Sequence, residues 1–212
     1  MLELLARIVK HPRERALLDH PVVFSGFRFL IVGFQLGNRR RLRSLLSRQR
    51  PQRVLDVCCG PGDFAGLVST DYYGIDLNPR FVALAQRSHS QAPRKQFHVG
   101  DATKMRLPAQ SFDTALFING MHHFPDDQVR AILREIVRVT ERHVIVLDLE
   151  AERGHWLQRL VMSLDRGDYV RSNATQRQLL EEFLDVEDFQ IYPVWLTVQT
   201  MFICRPRASE VS

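Results

Sequence analysis

Short apolar runs alternate with helical stretches along the central part of the chain, from residue 51 to residue 183. Apolar runs bounded by turn signals are typical of buried strands, whereas an apolar face repeating with the helical period is typical of packed helices. The predicted strands are residues 53–57, 72–75, 96–99, 113–118 and 143–149. The predicted helices are residues 63–68, 81–88, 126–139 and 173–183. This order predicts an α/β fold with a doubly wound, mostly parallel sheet.

Two further strands are predicted near the C-terminus, at residues 186–192 and 195–204. They leave no room for a helix between them, so a pair joined across Pro193 should be antiparallel. The sheet is therefore expected to continue into an antiparallel pair after five parallel strands.

The first 50 residues show no strand-like alternation. Their pattern predicts helices at residues 2–10, 12–20 and 22–47, the last with a break near Gly37. Residues 22–36 are apolar on nearly every face, but Arg28 interrupts them and the longest uncharged run falls short of the about 20 residues that a membrane span needs. We expect residues 1–50 to form a helical cap or lid on a domain of residues 51–212. A helix lying on a membrane surface is the alternative.

Basic residues are concentrated at the same end of the chain. Residues 1–50 contain 11 Lys and Arg against 3 Asp and Glu, whereas residues 51–212 contain 18 against 21. The cluster Arg39-Arg-Arg-Leu-Arg43 is suited to lipid headgroups, an acidic substrate or a nucleic acid. No nucleic acid is expected as a partner, because the body of the chain is net acidic and shows no basic stripe or RNA-binding module.

The cysteines and the N-terminus indicate a reducing compartment. Cys58, Cys59 and Cys204 show neither a C-x-x-C pair nor zinc spacing, so neither a disulfide framework nor a metal site is expected. The first residues lack the basic-then-apolar order of a secretory signal. We expect a cytoplasmic protein, with attachment to a membrane surface left open.

A glycine turn follows the first predicted strand, in Val54-Leu-Asp-Val-Cys-Cys-Gly-Pro-Gly-Asp-Phe64. Gly60 and Gly62 permit tight turning and close backbone approach, and the helix predicted after them offers unpaired N–H groups. Such a turn suits a nucleotide-like ligand, although it also occurs as an ordinary strand-to-helix connection.

Carboxylates follow the next two predicted strands. Asp76 lies 16 residues after Gly60, where an acidic group reaches the ribose hydroxyls of a bound nucleoside. Asp101, in Val99-Gly-Asp-Ala-Thr103, follows the third strand, where a carboxylate can accept a hydrogen bond from an adenine amino group. The carboxyl ends of parallel strands meet at one edge, so these loops should face a single crevice.

Seven segments together resemble the class I S-adenosylmethionine-dependent methyltransferases, and most closely the small-molecule group that includes the ubiquinone and menaquinone methyltransferases. They are Val54-Leu-Asp56, Gly60-Pro-Gly62, Gly74-Ile-Asp76, Gly100-Asp-Ala102, Leu107-Pro108, Ser111-Phe-Asp113 and Phe117-Ile-Asn-Gly-Met-His-His-Phe124. The resemblance covers residues 53–150 and implies a seven-stranded Rossmann-like sheet with an antiparallel last strand. It also implies S-adenosyl-L-methionine as the cofactor. The implied binding residues are Asp56, Cys58, Gly60, Gly62, Asp76, Leu77, Asp101, Ala102, Asn119 and Gly120.

The sequence departs from the family pattern at two places. Cys58 stands where the family usually has glycine, and its β-carbon is expected to narrow the cofactor pocket. The loop after the fourth strand reads Met121-His-His-Phe124 in place of the characteristic loop of the quinone enzymes. A dehydrogenase also fits the turn, since Gly60-x-Gly62-x-x-Ala65 matches the dinucleotide fingerprint. Asp56 and the absence of a Tyr-x-x-x-Lys favour the sulfonium cofactor.

Methyl transfer is an in-line displacement, and alignment of the reactants supplies about 7–11 kcal/mol of the barrier reduction. A general base is needed only if the acceptor must lose a proton. Because histidine titrates near neutrality, His122, His123 and His155 are the candidate bases, with packing as the alternative role of each.

Aromatic side chains of the cap predict the acceptor class. Phe24, Phe27 and Phe34 would form an apolar lid, and Trp156 would line the same pocket. An apolar lid favours a small hydrophobic acceptor: a quinone, a lipid-like molecule or a secondary metabolite. An RNA methyltransferase using the basic N-terminal segment and a non-catalytic S-adenosylmethionine-binding protein are the alternatives.

Overall fold

The computed structural model describes residues 36–152, 168–194 and 197–207 of the 212-residue chain. The predicted lid residues Phe24, Phe27 and Phe34 lie outside the described residues, as do His155 and Trp156.

Four helices and seven strands make up the described chain. The helices are α1 (Leu36–Gln49), α2 (Pro79–Ser88), α3 (Asp126–Val139) and α4 (Asn173–Glu181). The strands are β1 (Arg53–Val57), β2 (Asp71–Asp76), β3 (Lys95–Val99), β4 (Phe112–Ile118), β5 (Thr140–Leu149), β6 (Leu184–Val194) and β7 (Thr197–Pro206). Two single 3₁₀ turns, Ala65–Leu67 and Met121–His123, follow β1 and β4.

The seven strands form one sheet in the order β3-β2-β1-β4-β5-β7-β6. Strands β1 to β5 are parallel, and β7 is antiparallel to both β5 and β6. The order reverses at β1, which lies between β2 and β4, and a crevice opens outside the carboxyl ends of the strands at such a point. The predicted fold class is confirmed.

Helices cover both faces of the sheet because neighbouring strand residues point to opposite sides. On β1, Leu55 packs in the core that α3 and α4 cover, and Val54 packs in the core that α1 and α2 cover. Leu42 and Leu46 bring α1 into this second core. The C-terminal part of the predicted cap thus packs directly against the sheet.

Two local predictions are wrong. The helix predicted at residues 63–68 is only a 3₁₀ turn, because eight residues separate Gly62 from β2 and the chain must return to the sheet after one turn. Pro193 lies inside β6, paired with Val198, and not in the turn to β7. Because β6 is an edge strand, it tolerates a proline, which has no N–H to donate.

None of the helices in the described ranges has the length and apolar character needed to cross a membrane.

Candidate cofactor and acceptor site

The turn after β1 has an unusual left-handed backbone. Cys58, Gly60 and Gly62 have φ angles of 60°, 53° and 81°. A β-carbon at Gly62 would lie 2.8 Å from the Phe97 ring, so this position needs glycine for its space as well as for its φ. Cys58 adopts the same region with a side chain, which costs about 1–2 kcal/mol relative to a right-handed conformation.

The carboxylate of Asp76 holds this turn from the end of β2. The Gly60 N–H donates to its Oδ2 at 2.8 Å, and the Asn78 N–H donates to its Oδ1 at 2.8 Å. The two bonds place a negative charge at the mouth of the glycine turn. Gly60 and Asp76, both predicted binding residues, are therefore in direct contact.

Asp101 lies beside two exposed apolar side chains at the same edge. Its Oδ1 accepts from the N–H and the hydroxyl of Thr103, at 2.9 and 2.7 Å, and these bonds lower the pKa of the carboxyl. Leu77 and Val99 are 69% and 56% exposed, although large aliphatic side chains are usually buried. These exposed aliphatic side chains offer an apolar surface to an aromatic ring such as adenine, and neighbouring Ala102 is buried.

Cys58 is surrounded by the predicted binding carboxylates. Burial raises the pKa of its thiol well above the ordinary value, and the charges of Asp76, Asp56 and Asp101 raise it further. The thiol therefore stays protonated near neutral pH. Asp56 itself is 1% exposed and accepts a hydrogen bond from the Tyr72 hydroxyl, a partner that the sequence analysis missed.

The loop after β4 begins with an unsatisfied acceptor. Asn119 has a φ of 51°, and its N–H donates to the Leu147 carbonyl at 2.7 Å. Its side-chain Oδ1 is buried and has no hydrogen-bond partner among the described residues. Such a group costs about 1–3 kcal/mol, and an ammonium group would satisfy it. At Gly120 a β-carbon would lie 3.3 Å from the β-carbon of Cys58, so the two loops touch.

His122 is fixed by a carboxylate that sequence reasoning missed. Its backbone N–H donates to Asp148 Oδ2 at 2.9 Å, and its Nδ1 is hydrogen-bonded to Oδ1 of the same carboxylate. His122 and Asp148 are 4% and 1% exposed, whereas His123 is exposed, with its ring 4.1 Å from that of His122. The sequence does contain a signal for Asp148, which is an acidic residue at the carboxyl end of an apolar strand. The same signal identifies Asp76 as a site residue.

Arg171 is a second residue that the sequence analysis missed. Its buried guanidinium donates to the carbonyls of Met121 and Phe124 at 3.0 and 2.7 Å, and it is paired with Asp126 at 2.6 Å. The Tyr169 N–H in turn donates to the His122 carbonyl at 3.1 Å. The segment preceding α4 therefore holds the His122 loop in place.

The described candidates converge on the carboxyl ends of four strands that are consecutive in the sheet, β3, β2, β1 and β4. No cluster of His, Cys, Asp and Glu with the geometry of a metal site occurs within residues 36–152, 168–194 and 197–207. The orphaned Asn119 Oδ1 and the exposed Leu77 and Val99 fit the amino acid and adenine ends of S-adenosylmethionine.

Comparisons with known proteins identify methyltransferases as similar to this chain. Residues 54–143 match the family model for the methyltransferase domain. The phthiotriol/phenolphthiotriol dimycocerosates methyltransferase of Mycobacterium leprae is 30% identical over 154 residues, covering 63% of this chain and 55% of that protein. The demethylmenaquinone methyltransferase of Thermotoga maritima is 30% identical over 129 residues, covering 58% and 54%. The magnesium protoporphyrin IX methyltransferase of Synechocystis with bound SAH superposes with a TM-score of 0.69 at 16% identity, over 82% of this chain and 84% of the other.

The fold is that of the class I methyltransferases. The resemblance to the class I S-adenosylmethionine-dependent methyltransferases is confirmed, over residues 54–143 by the family model and at the level of the fold by the solved structure. The chain spans about half the length of the curated relatives named here.

Proposed function

We propose that the protein transfers a methyl group from S-adenosyl-L-methionine to a small hydrophobic acceptor. The observation that carries this proposal is the convergence of the Asp76-held glycine turn, Asp101 and the unsatisfied Asn119 Oδ1 on one edge of the sheet. The names of the relatives support it, since they act on a dimycocerosate lipid and on demethylmenaquinone.

Each end of the cofactor has a matching group in this crevice. Asp76 would accept from the ribose hydroxyls and Asp101 from the adenine amino group, while Leu77 and Val99 would cover the ring. Asn119 would accept from the ammonium of the methionine part. The cofactor supplies a methyl group on a sulfonium leaving group, so the protein mainly aligns the acceptor with it.

His122 is the general base of this proposal when the acceptor is a hydroxyl or an acidic carbon. A carboxylate bonded to Nδ1 orients the ring and stabilises the imidazolium that forms when the base takes up a proton. Asp148 occupies this position. His123 and His155 remain secondary candidates, the first because it is exposed and in ring contact with His122.

The acceptor is proposed to be apolar because of the phenylalanine-rich sequence before α1. We expect it to be met at a membrane surface, since α1 carries exposed Arg40 and Arg43 next to that apolar segment. Sedimentation with vesicles of phosphatidylcholine, with and without phosphatidylglycerol, tests this contact. Arg40→Ala/Arg43→Ala should lose the binding to anionic vesicles, while the matched Arg80→Ala/Arg87→Ala on α2 should retain it.

Methyl-labelled S-adenosylmethionine incubated with the protein and a cell extract tests the function itself. Label in the organic-soluble fraction, lost with Asp76→Ala, is the expected result. Label in the RNA fraction would replace the proposal by RNA methylation through the basic segment. Binding of the cofactor without transfer to any fraction would favour the non-catalytic alternative.

A further inference from the structure

The turn that carries the glycines is not followed by a regular helix. In a regular helix each carbonyl accepts from the N–H four residues later. Here the bonds run from Gly62 N to Cys59 O, from Ala65 N to Gly62 O and from Leu67 N to Phe64 O, each to the carbonyl three residues earlier. The left-handed glycine turn is therefore followed by a single 3₁₀ turn in place of a helix.

Two side chains from neighbouring helices bind the carbonyls of this segment. The Arg39 guanidinium, on α1, donates to the Asp63 carbonyl. The His89 Nε2–H, at the C-terminal end of α2, donates to the Gly62 carbonyl at 3.1 Å. His89 is held in place, because its N–H donates to Ala85 O at 3.0 Å and its ring stacks on Phe97 with 5.3 Å between centroids.

Arg39 and His89 both line a cleft of about 350 Å³, which lies between α1, α2 and the glycine turn. Gly66 has open space on the side where a β-carbon would lie. The Phe97 ring packs against Gly62 so closely that a β-carbon at Gly62 would clash with it. The turn is thus supported on one side by Phe97 and from the helices by Arg39 and His89.

We infer that Arg39 and His89 are positioning residues for the cofactor turn. They bond to the carbonyls of Asp63 and Gly62 and so hold Gly60 and Gly62 in the left-handed conformation that brings the backbone to the cofactor. In a fold with a regular helix after the glycine turn, the hydrogen bonds of that helix would hold the turn instead. The identity of the ligand rests on the proposed function. The role of the two side chains in ordering the turn does not.

Variants at His89 separate the hydrogen bond from the packing. His89→Phe keeps an aromatic ring on Phe97 but cannot donate, whereas His89→Gln keeps an N–H donor. The matched control is His98→Phe, since His98 is exposed on β3 and stacks on Tyr73. Arg39→Met is paired in the same way with Arg40→Met, its exposed neighbour.

Calorimetric titration with S-adenosylhomocysteine and hydrogen exchange of a peptide covering residues 58–68 are the two measurements. His89→Phe and Arg39→Met should each raise the Kd about five- to tenfold, the loss of one ordinary hydrogen bond. Both should also accelerate exchange in that peptide while the β4 and β5 peptides stay protected. His89→Gln, His98→Phe and Arg40→Met should stay within about twofold of the parent protein.

Unchanged Kd and exchange in His89→Phe and Arg39→Met would overturn the inference. Equal losses in the two control variants would overturn it as well, because the effect would then be general. If the parent protein does not bind S-adenosylhomocysteine, the proposed function fails, and the exchange comparison still decides whether the two side chains order the turn.

Discussion

The Asp148 carboxylate accepts hydrogen bonds from both the backbone N–H and the imidazole of His122, and so ties the loop after β4 to the end of β5. The backbone bond fixes where the histidine lies, and the ring bond fixes the orientation of its imidazole. Arg171 strengthens this arrangement by bonding to carbonyls on either side of the histidine pair. A buried imidazole that is oriented by a carboxylate, on a loop held by Asp148 and Arg171, is suited to accept a proton from a bound acceptor.

The first prediction concerns the rate of the chemical step. His122→Ala should lower kcat by about 10²–10⁴, the usual contribution of general-base catalysis, and Asp148→Asn should lower it in the same direction. The Kd for S-adenosylhomocysteine should stay within about twofold in both, because neither side chain is assigned to the cofactor. His123→Ala is the control and should retain most of the activity. An active His122→Ala variant would leave the pair with a packing role only.

Much of the fold was predictable because its signals are local. The bounds of β1 and α3 match the predictions at both ends, since a run of apolar residues and a complete amphipathic repeat define them. The helix predicted after the glycine turn failed for a non-local reason. The apolar pattern of residues 63–68 fits a helix, but the chain has only eight residues in which to reach β2. Arg39 on α1 and His89 at the end of α2 donate to carbonyls of this segment.

The candidate site was predictable where a motif carries it and not where tertiary contacts do. Asp76 and Asp101 stand in loops whose spacing identifies them. Asp148 and Arg171 bind residues that are 26 to 50 positions away in the sequence. These partners can be identified only once the fold has brought the segments together.

The second prediction tests the glycine turn and the ribose contact together. Asp76→Ala should weaken cofactor binding by about 1–3 kcal/mol, the range for a lost hydrogen bond to a charged group, because it also releases the Gly60 N–H. Titration calorimetry with S-adenosylhomocysteine measures it. Asp71→Ala, at the opposite end of β2 and well exposed, is the matched control and should leave the Kd unchanged. Equal affinities in the two variants would remove Asp76 from the cofactor site.

The third prediction concerns the strained backbone of Cys58. At an ordinary position, glycine is less stable than alanine by about 0.5–1 kcal/mol. At a φ of 60° the order should reverse, so Cys58→Gly should be more stable than Cys58→Ala by about 1 kcal/mol. Urea denaturation measures the free energy of unfolding of each variant. Both variants lack the thiol, so its loss does not contribute to the difference between them. Cys58→Gly should also bind the cofactor at least as tightly as the parent, because no β-carbon remains to narrow the pocket.

The fourth prediction is a loss of stability at alkaline pH through a buried thiol far from the site. Burial raises the pKa of Cys204 to about 12, against about 8.5 for an exposed thiol in the unfolded chain. Because the pKa is higher in the folded state, the stabilisation is complete below about pH 8.5 and is lost as the pH rises towards 12, by up to about 1.4 kcal/mol per pH unit. Cys204→Ala has no thiol to ionise, so the difference in unfolding free energy between the parent and this variant should shrink between pH 9 and pH 10.5. Urea titrations at three pH values in that interval measure the difference, and a constant difference would show that the thiol ionises as easily in the folded protein as in the unfolded chain.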